Sequence, residues 1–140
     1  MKLKSPKGGS ALEFAIVLPI LLLLVLGIFE FGILLYNQAV ITNACREGAR
    51  AGIVKDGPYG SAVQASKIKE IVTNDCSRLI PPATHDVTFS PNSSAPCSSG
   101  FGTDLTVTVT YHHNYLALPT FVGSLVGGTD LTAVSVMRCE

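Results

Sequence analysis

From Phe14 to Leu35 the chain is apolar with a single ionisable interruption, Glu30. As a helix rising ~1.5 Å per residue, residues 14–35 extend roughly 33 Å, enough to cross a hydrocarbon core of ~30 Å. The centre of the run, Leu21-Leu22-Leu23-Leu24-Val25-Leu26, is apolar all round, so a globular fold would have to enclose it completely. A chain of 140 residues is too short to do that and also build a second core. Residues 2–8, Lys-Leu-Lys-Ser-Pro-Lys-Gly, carry three lysines and no acid. That positive flank puts the start of the chain in the cytoplasm and the last ~100 residues across the membrane. A cleavable secretory signal fits less well, because its apolar core spans about 7–15 residues and a small-residue cleavage site follows promptly. Here the first such pattern, Ala49-Arg50-Ala51, lies far beyond the run.

Composition narrows the function classes. Ten basic residues balance ten acidic ones, so there is no basic excess for a nucleic-acid surface and no nucleic-acid partner is expected. At 47% hydrophobic and 14% charged the chain fits neither a disordered polymer nor an ordinary cytosolic enzyme.

Two carboxylates break the apolar pattern. Glu30 lies about 25 Å along the helix from Glu13, so its side chain is expected to snorkel to the far interface. Glu13 sits at the start of the run, in Gly8-Gly9-Ser10-Ala11-Leu12-Glu13-Phe14. Proteolysis after Gly8 would make Gly9 the first residue and Glu13 the fifth. The new amine of one helix could then pair with Glu13 of a neighbour, each charge offsetting the other in a low-dielectric bundle. Cleavage after Gly9 would make Glu13 the fourth residue.

A short basic leader, glycine, glutamate, aromatic residue and apolar helix resemble a type IV prepilin processing site. Glu13-Phe14-Ala15 with Leu18-Pro19, then Gly27-Ile28-Phe29-Glu30-Phe31-Gly32, then Thr42-Asn43-Ala44-Cys45-Arg46-Glu47-Gly48-Ala49-Arg50 together resemble the TadE-like family. These are minor pseudopilins of the Tad (tight adherence, Flp pilus) system. The resemblance covers roughly residues 8–52. It implies processing at Gly8 or Gly9, helix assembly through Glu13 and Phe14, and a family motif of Glu30, Asn43, Arg46, Glu47, Gly48 and Arg50. It also implies residence in the inner membrane, a membrane aspartic prepilin peptidase, and other pilins and pseudopilins as partners. Cys45 departs from the small residue, such as alanine, that the resemblance leads one to expect.

Beyond the membrane nothing strongly stops a helix before Val54, so one rod is expected from about Leu12 to Val54, with a kink or unwound turn at Pro19. Ala44, Gly48 and Gly52 form a small-residue stripe that suits close packing under the protein's own sheet or against another subunit. Glu47 and Arg50 stand three apart and can pair. Lys55-Asp56-Gly57-Pro58-Tyr59-Gly60 has turn chemistry. Residues 61–80 have helical spacing, with Val63, Ile68, Ile71, Val72, Cys76, Leu79 and Ile80 on one side. Asp86–Phe89 is a strand candidate, and Ser90–Gly102 a loop. Leu105, Val107, Val109 and Tyr111 alternate with Thr106, Thr108, Thr110 and His112, the mark of a half-buried strand. A last strand covers about Asp130–Arg138.

The expected architecture is therefore α+β: a long transmembrane helix continuing into a small exported domain with a second helix and a short antiparallel sheet. The resemblance makes this plan pilin-like. Its divisions are a leader (1–8), a transmembrane helix (9–36), a helical continuation (37–56) and an extracytoplasmic domain (57–140). Four cysteines suit an oxidising compartment; Cys76 with Cys97 is the favoured bridge. The spacings lack any short Cys-x-x-Cys clip, so no metal is expected.

No His-Glu-x-x-His, Gly-x-Ser-x-Gly or phosphate-binding loop occurs in the sequence. No enzyme activity and no cofactor are expected. His112 and His113 are adjacent, so on a strand they point to opposite faces; a surface strand accounts for them, with Asp86 and Asp104 as candidate partners of the histidines. Two functional readings remain, a cleaved pseudopilin and a permanently anchored single-span protein with a partner-binding domain. A hydrolase would need a cleft that the sequence does not show.

Overall fold

The computed structural model describes residues 7–53, 61–90, 97, 102–116 and 127–139. Helix α1 runs from Lys7 to Ile53, a rod of about 70 Å at the α-helical rise. It passes through Pro19 as uninterrupted helix, so the unwound turn expected there is not seen. The rod also starts some five residues before Leu12, taking in Gly8 and Gly9. The turn expected at Lys55–Gly60 lies outside the described residues, as do most of the Ser90–Gly102 loop and residues 117–126.

Helix α2 spans Ser61–Cys76 and ends earlier than the periodicity suggests. Ser77, Arg78 and Leu79 donate their N–H groups to the carbonyls three residues back, closing the helix with tight turns. Pro81 disfavours helical geometry at Ile80, and the Ile80–Pro81 bond is cis. Ile80 is consequently outside the helix and exposed, while Ile68, Val72, Cys76 and Leu79 are buried as expected.

Three strands follow, β1 (His85–Ser90), β2 (Asp104–His113) and β3 (Thr129–Arg138). They form one antiparallel sheet in the order β1-β2-β3, with Val87 opposite Val109 and Val109 opposite Ala133. The alternation in β2 lies as read: Leu105, Val107, Val109 and Tyr111 are fully buried, and the threonines between them face outward. Both helices cover the inner face, α1 over β2 and β3, α2 beside β1. The core joins Ile41, Ala44, Cys45 and Ala49 of α1 to Ile68 and Val72 of α2 and to the inward residues of β2. This is the expected α+β arrangement of one long apolar helix, a second helix and a short antiparallel sheet.

The small-residue stripe is covered from within the chain, mainly by α2 rather than the sheet. A Cβ at Gly48 would come within 2.6 Å of Val72 Cγ2, and one at Gly52 within 2.6 Å of both Ile68 Cδ1 and Leu105 Cδ2. Only hydrogen at these positions lets the helices approach so closely.

The expected Cys76–Cys97 bridge is not the pairing found. Cys97 is bonded to Cys139, with the Cα atoms 5.8 Å apart. Cys76 is instead a buried thiol on the inner face of α2, placed there by the same helical periodicity that buries Val72. Cys139 is held beside the 102–103 backbone by Gly102 N–H to Cys139 O (3.0 Å) and Cys139 N–H to Thr103 O (2.8 Å). Cys45 is also a buried thiol, and its S–H donates to Val107 O at 3.0 Å. A sulfhydryl at this position therefore satisfies a strand carbonyl that a smaller apolar side chain would leave to others. Burial raises both thiol pKa values, that of Cys76 to about 11 with help from Asp75 and Cys45.

Candidate functional site

The amino-terminal half of α1 offers the one extended apolar surface among the described residues. Positions 9–25 are all exposed, Glu13 and Phe14 included. The helix is long and apolar enough to cross a membrane, and none of its most apolar window is covered by the rest of the chain. Gly9 has open space around it, so the segment expected to carry processing and assembly is presented on a bare helix.

The lower half of the same rod is clothed by the sheet and α2, and the change occurs at Glu30. This carboxylate does not snorkel into solvent: it is only 3% exposed. Its Oε1 accepts the Leu116 N–H at 3.0 Å and lies 2.9 Å from His113 Nε2. His113, fully buried, presents Nδ1 to Asn37 Nδ2 at 3.2 Å. Asn37 in turn donates to Ile80 O and accepts the Ile80 N–H at 3.0 Å. The proton positions follow from this network. An amide nitrogen can only donate, so His113 Nδ1 is the acceptor. Its Nε2 therefore carries the hydrogen and donates to Glu30. No buried side-chain nitrogen or oxygen among the described residues lacks a partner.

The elements that make the network are legible one by one. Glu30 and Asn37 stand seven residues apart, two helical turns, and so share a face of α1. His113 is the last residue of β2, inward-facing by the same alternation that buries Tyr111. Tyr111 ties the adjacent turn, donating its hydroxyl to Pro81 O at 2.6 Å. The surface-strand reading holds for His112, which is exposed and paired with Asp130, but not for His113. Neither takes Asp86 or Asp104 as partner. Carrying the alternation one residue further would have turned His113 inward. A lone carboxylate in an apolar run was then the signal for its partner.

The remaining motif residues divide between the two sides of the rod. Asn43, Arg46, Glu47 and Arg50 are exposed, with Glu47 and Arg50 forming a loose surface pair at 3.9 Å, while Gly48 is buried against α2. The geometry thus places an acid on a bare apolar helix at one end and a buried polar clasp at the other. No curated protein and no solved structure matches the chain. A family model described as TadE-like protein matches residues 8–50, the stretch that holds Glu13, Glu30 and the motif through Arg50, so in this amino-terminal region the chain is similar to TadE-like proteins.

Proposed function

We propose that the protein is a minor pseudopilin of a Tad/Flp pilus system, anchored in the inner membrane by α1 with its sheet domain outside the cytoplasm. In this reading a prepilin peptidase cuts after Gly8, and the subunit then assists assembly of the fibre with other pilins and pseudopilins. The observation that carries it is Glu13, an acid exposed on the uncovered apolar end of a helix matched to the TadE-like model. A carboxylate in such a place is costly unless an opposite charge meets it. The amine created by cleavage on a neighbouring helix supplies that charge and sets the register between rods. Removal of residues 1–8 also takes three of the ten basic residues, leaving seven against ten acids. The mature chain is then net acidic.

Mass spectrometry of the protein extracted from membranes of cells that contain a prepilin peptidase tests the first step. The expected mass lacks Met1–Gly8; loss of Met1–Gly9 would move the cut by one residue, and an intact leader refutes processing. Replacement of Glu13 by Gln or Ala tests the second. Pilus formation is expected to drop severely with the protein still in the membrane. Undiminished piliation would leave the permanently anchored single-span protein as the better reading.

A further inference from the structure

The position of the domain along α1 has a consequence for its surface. Measured from Phe14, where the apolar run begins, a hydrocarbon core of ~30 Å ends about twenty residues along the helix, near position 34. The domain already grips the helix before that point, through His113 and the Leu116 N–H on Glu30, and again two turns beyond Glu30, through Ile80 on Asn37. The end of the domain that carries Leu116 and Ile80 is therefore level with the end of the apolar span. Both residues turn their side chains outward, Leu116 at 61% and Ile80 at 42% exposure. Phe29 and Tyr36 lie beside Ile80, and Phe31 and Leu35 are exposed on the same stretch of the helix.

Between the helix and Ile80 lies a groove of about 390 Å³ lined by Ile28, Phe29, Gly32, Ile33, Tyr36 and Ile80. None of these residues is charged, and the tyrosine stands at the end away from the membrane centre, where such amphipathic rings favour the interface. Along the helix the groove continues the exposed apolar surface of the span without a polar break: Glu30, the one carboxylate of α1 at this level, is hidden by the domain itself, and the exposed His112–Asp130 pair stands on the sheet rather than in the groove.

We propose that this end of the domain is a lipid-contact surface, seated in the interfacial layer of the near leaflet, with the groove taking the upper part of a phospholipid acyl chain. The proposal rests on the reading of α1 as a membrane span. Burying Ile80 and Leu116 in the interface removes apolar surface from water, and the Glu30–His113–Asn37 clasp holds the domain at the depth where this happens.

The sequence contains no tryptophan, so single tryptophans report on single positions. The full chain would be reconstituted into phosphatidylcholine vesicles, either unlabelled or brominated on the acyl chains close to the headgroup. Ile80→Trp and Leu116→Trp test the surface, Phe29→Trp marks the span, and Val134→Trp marks the exposed outer face of the sheet. Thermal unfolding checks that each variant retains the wild-type fold, and all four sites are exposed enough to accept the larger ring. Bromine is expected to quench Ile80→Trp and Leu116→Trp as strongly as Phe29→Trp, and to leave Val134→Trp unchanged. If Phe29→Trp is quenched while Ile80→Trp and Leu116→Trp stay as bright as Val134→Trp, the proposal fails and the span survives; a groove filled by α1 of a second copy would give that result. Quenching of Val134→Trp along with the others would also overturn it, because the domain would not then rest at the surface. Absence of quenching at Phe29→Trp would overturn the span and the proposal together.

Discussion

Glu30 and His113 meet across a sequence separation of 83 residues and are both out of water. Removing Glu30 leaves the His113 Nε2–H and the Leu116 N–H without their acceptor in a dry site, a loss of about 1–3 kcal/mol for each group. The Glu30→Gln variant retains a side-chain oxygen able to accept from Leu116 N–H and from His113 Nε2–H. Its loss should be nearer to that of one weakened hydrogen bond, about 1–2 kcal/mol. Thermal unfolding of the full chain in detergent should rank wild type, Glu30→Gln and Glu30→Ala in descending stability. The double variant Glu30→Ala/His113→Ala should lose less than the two single losses added together, because the second change removes a group already stranded. Strict additivity would mean that the two side chains do not support each other.

At the scale of elements, the rod and α2 meet through Gly48 and Gly52, and the two glycines are not equivalent. A methyl group at Gly48 would press on Val72 Cγ2, a branch held close to the backbone, and at 3.3 Å on Ile68 Cγ2. At Gly52 it would meet Cδ atoms of Ile68 and Leu105, the free ends of longer side chains that can turn aside. Overpacking costs about 1–3 kcal/mol, and the better helix propensity of alanine returns up to about 1 kcal/mol. Gly48→Ala is therefore expected to lower the unfolding midpoint more than Gly52→Ala, with Gly48→Leu worse than either. Equal tolerance at both positions would contradict the close helix contact. The strands need no such device, since the β-branched and aromatic residues of β2 fit a pleated surface that is covered on one face only.

Over the whole molecule, two attachments far apart along the rod hold the domain together. The clasp at Glu30 fixes one end of β2 to the helix, and the Cys97–Cys139 bond ties the end of β3 to the connection before β2. The bond closes a segment of 42 residues, and a loop of that length corresponds to about 4 kcal/mol in the chain-entropy account of cross-links. Reduction, or the double substitution Cys97→Ser/Cys139→Ser, should lower stability in thermal unfolding by about 2–4 kcal/mol. The buried thiols of Cys45 and Cys76 should resist alkylation until the chain unfolds, so thiol labelling before and after denaturation identifies the bonded pair independently. Labelling of Cys139 in the folded, unreduced protein would refute the assignment.

What residue order settled alone was periodic or compositional. A 22-residue apolar run (14–35) must be helix and must leave water. Alternation along 105–112 must make a strand with one buried face, and Pro81-Pro82 must end whatever precedes them. These are local consequences of side-chain spacing and backbone sterics. Only the tertiary structure decided which surfaces meet. It put α2, not the sheet alone, over Gly48 and Gly52, gave Cys97 to Cys139 rather than Cys76, and turned His113 onto a carboxylate that had every local reason to seek water. Each of those outcomes depends on where a distant segment comes to rest. The energy of a buried pair, a bond between sulfurs or a close helix crossing belongs to two places in the chain at once, and spacing within either place does not contain it.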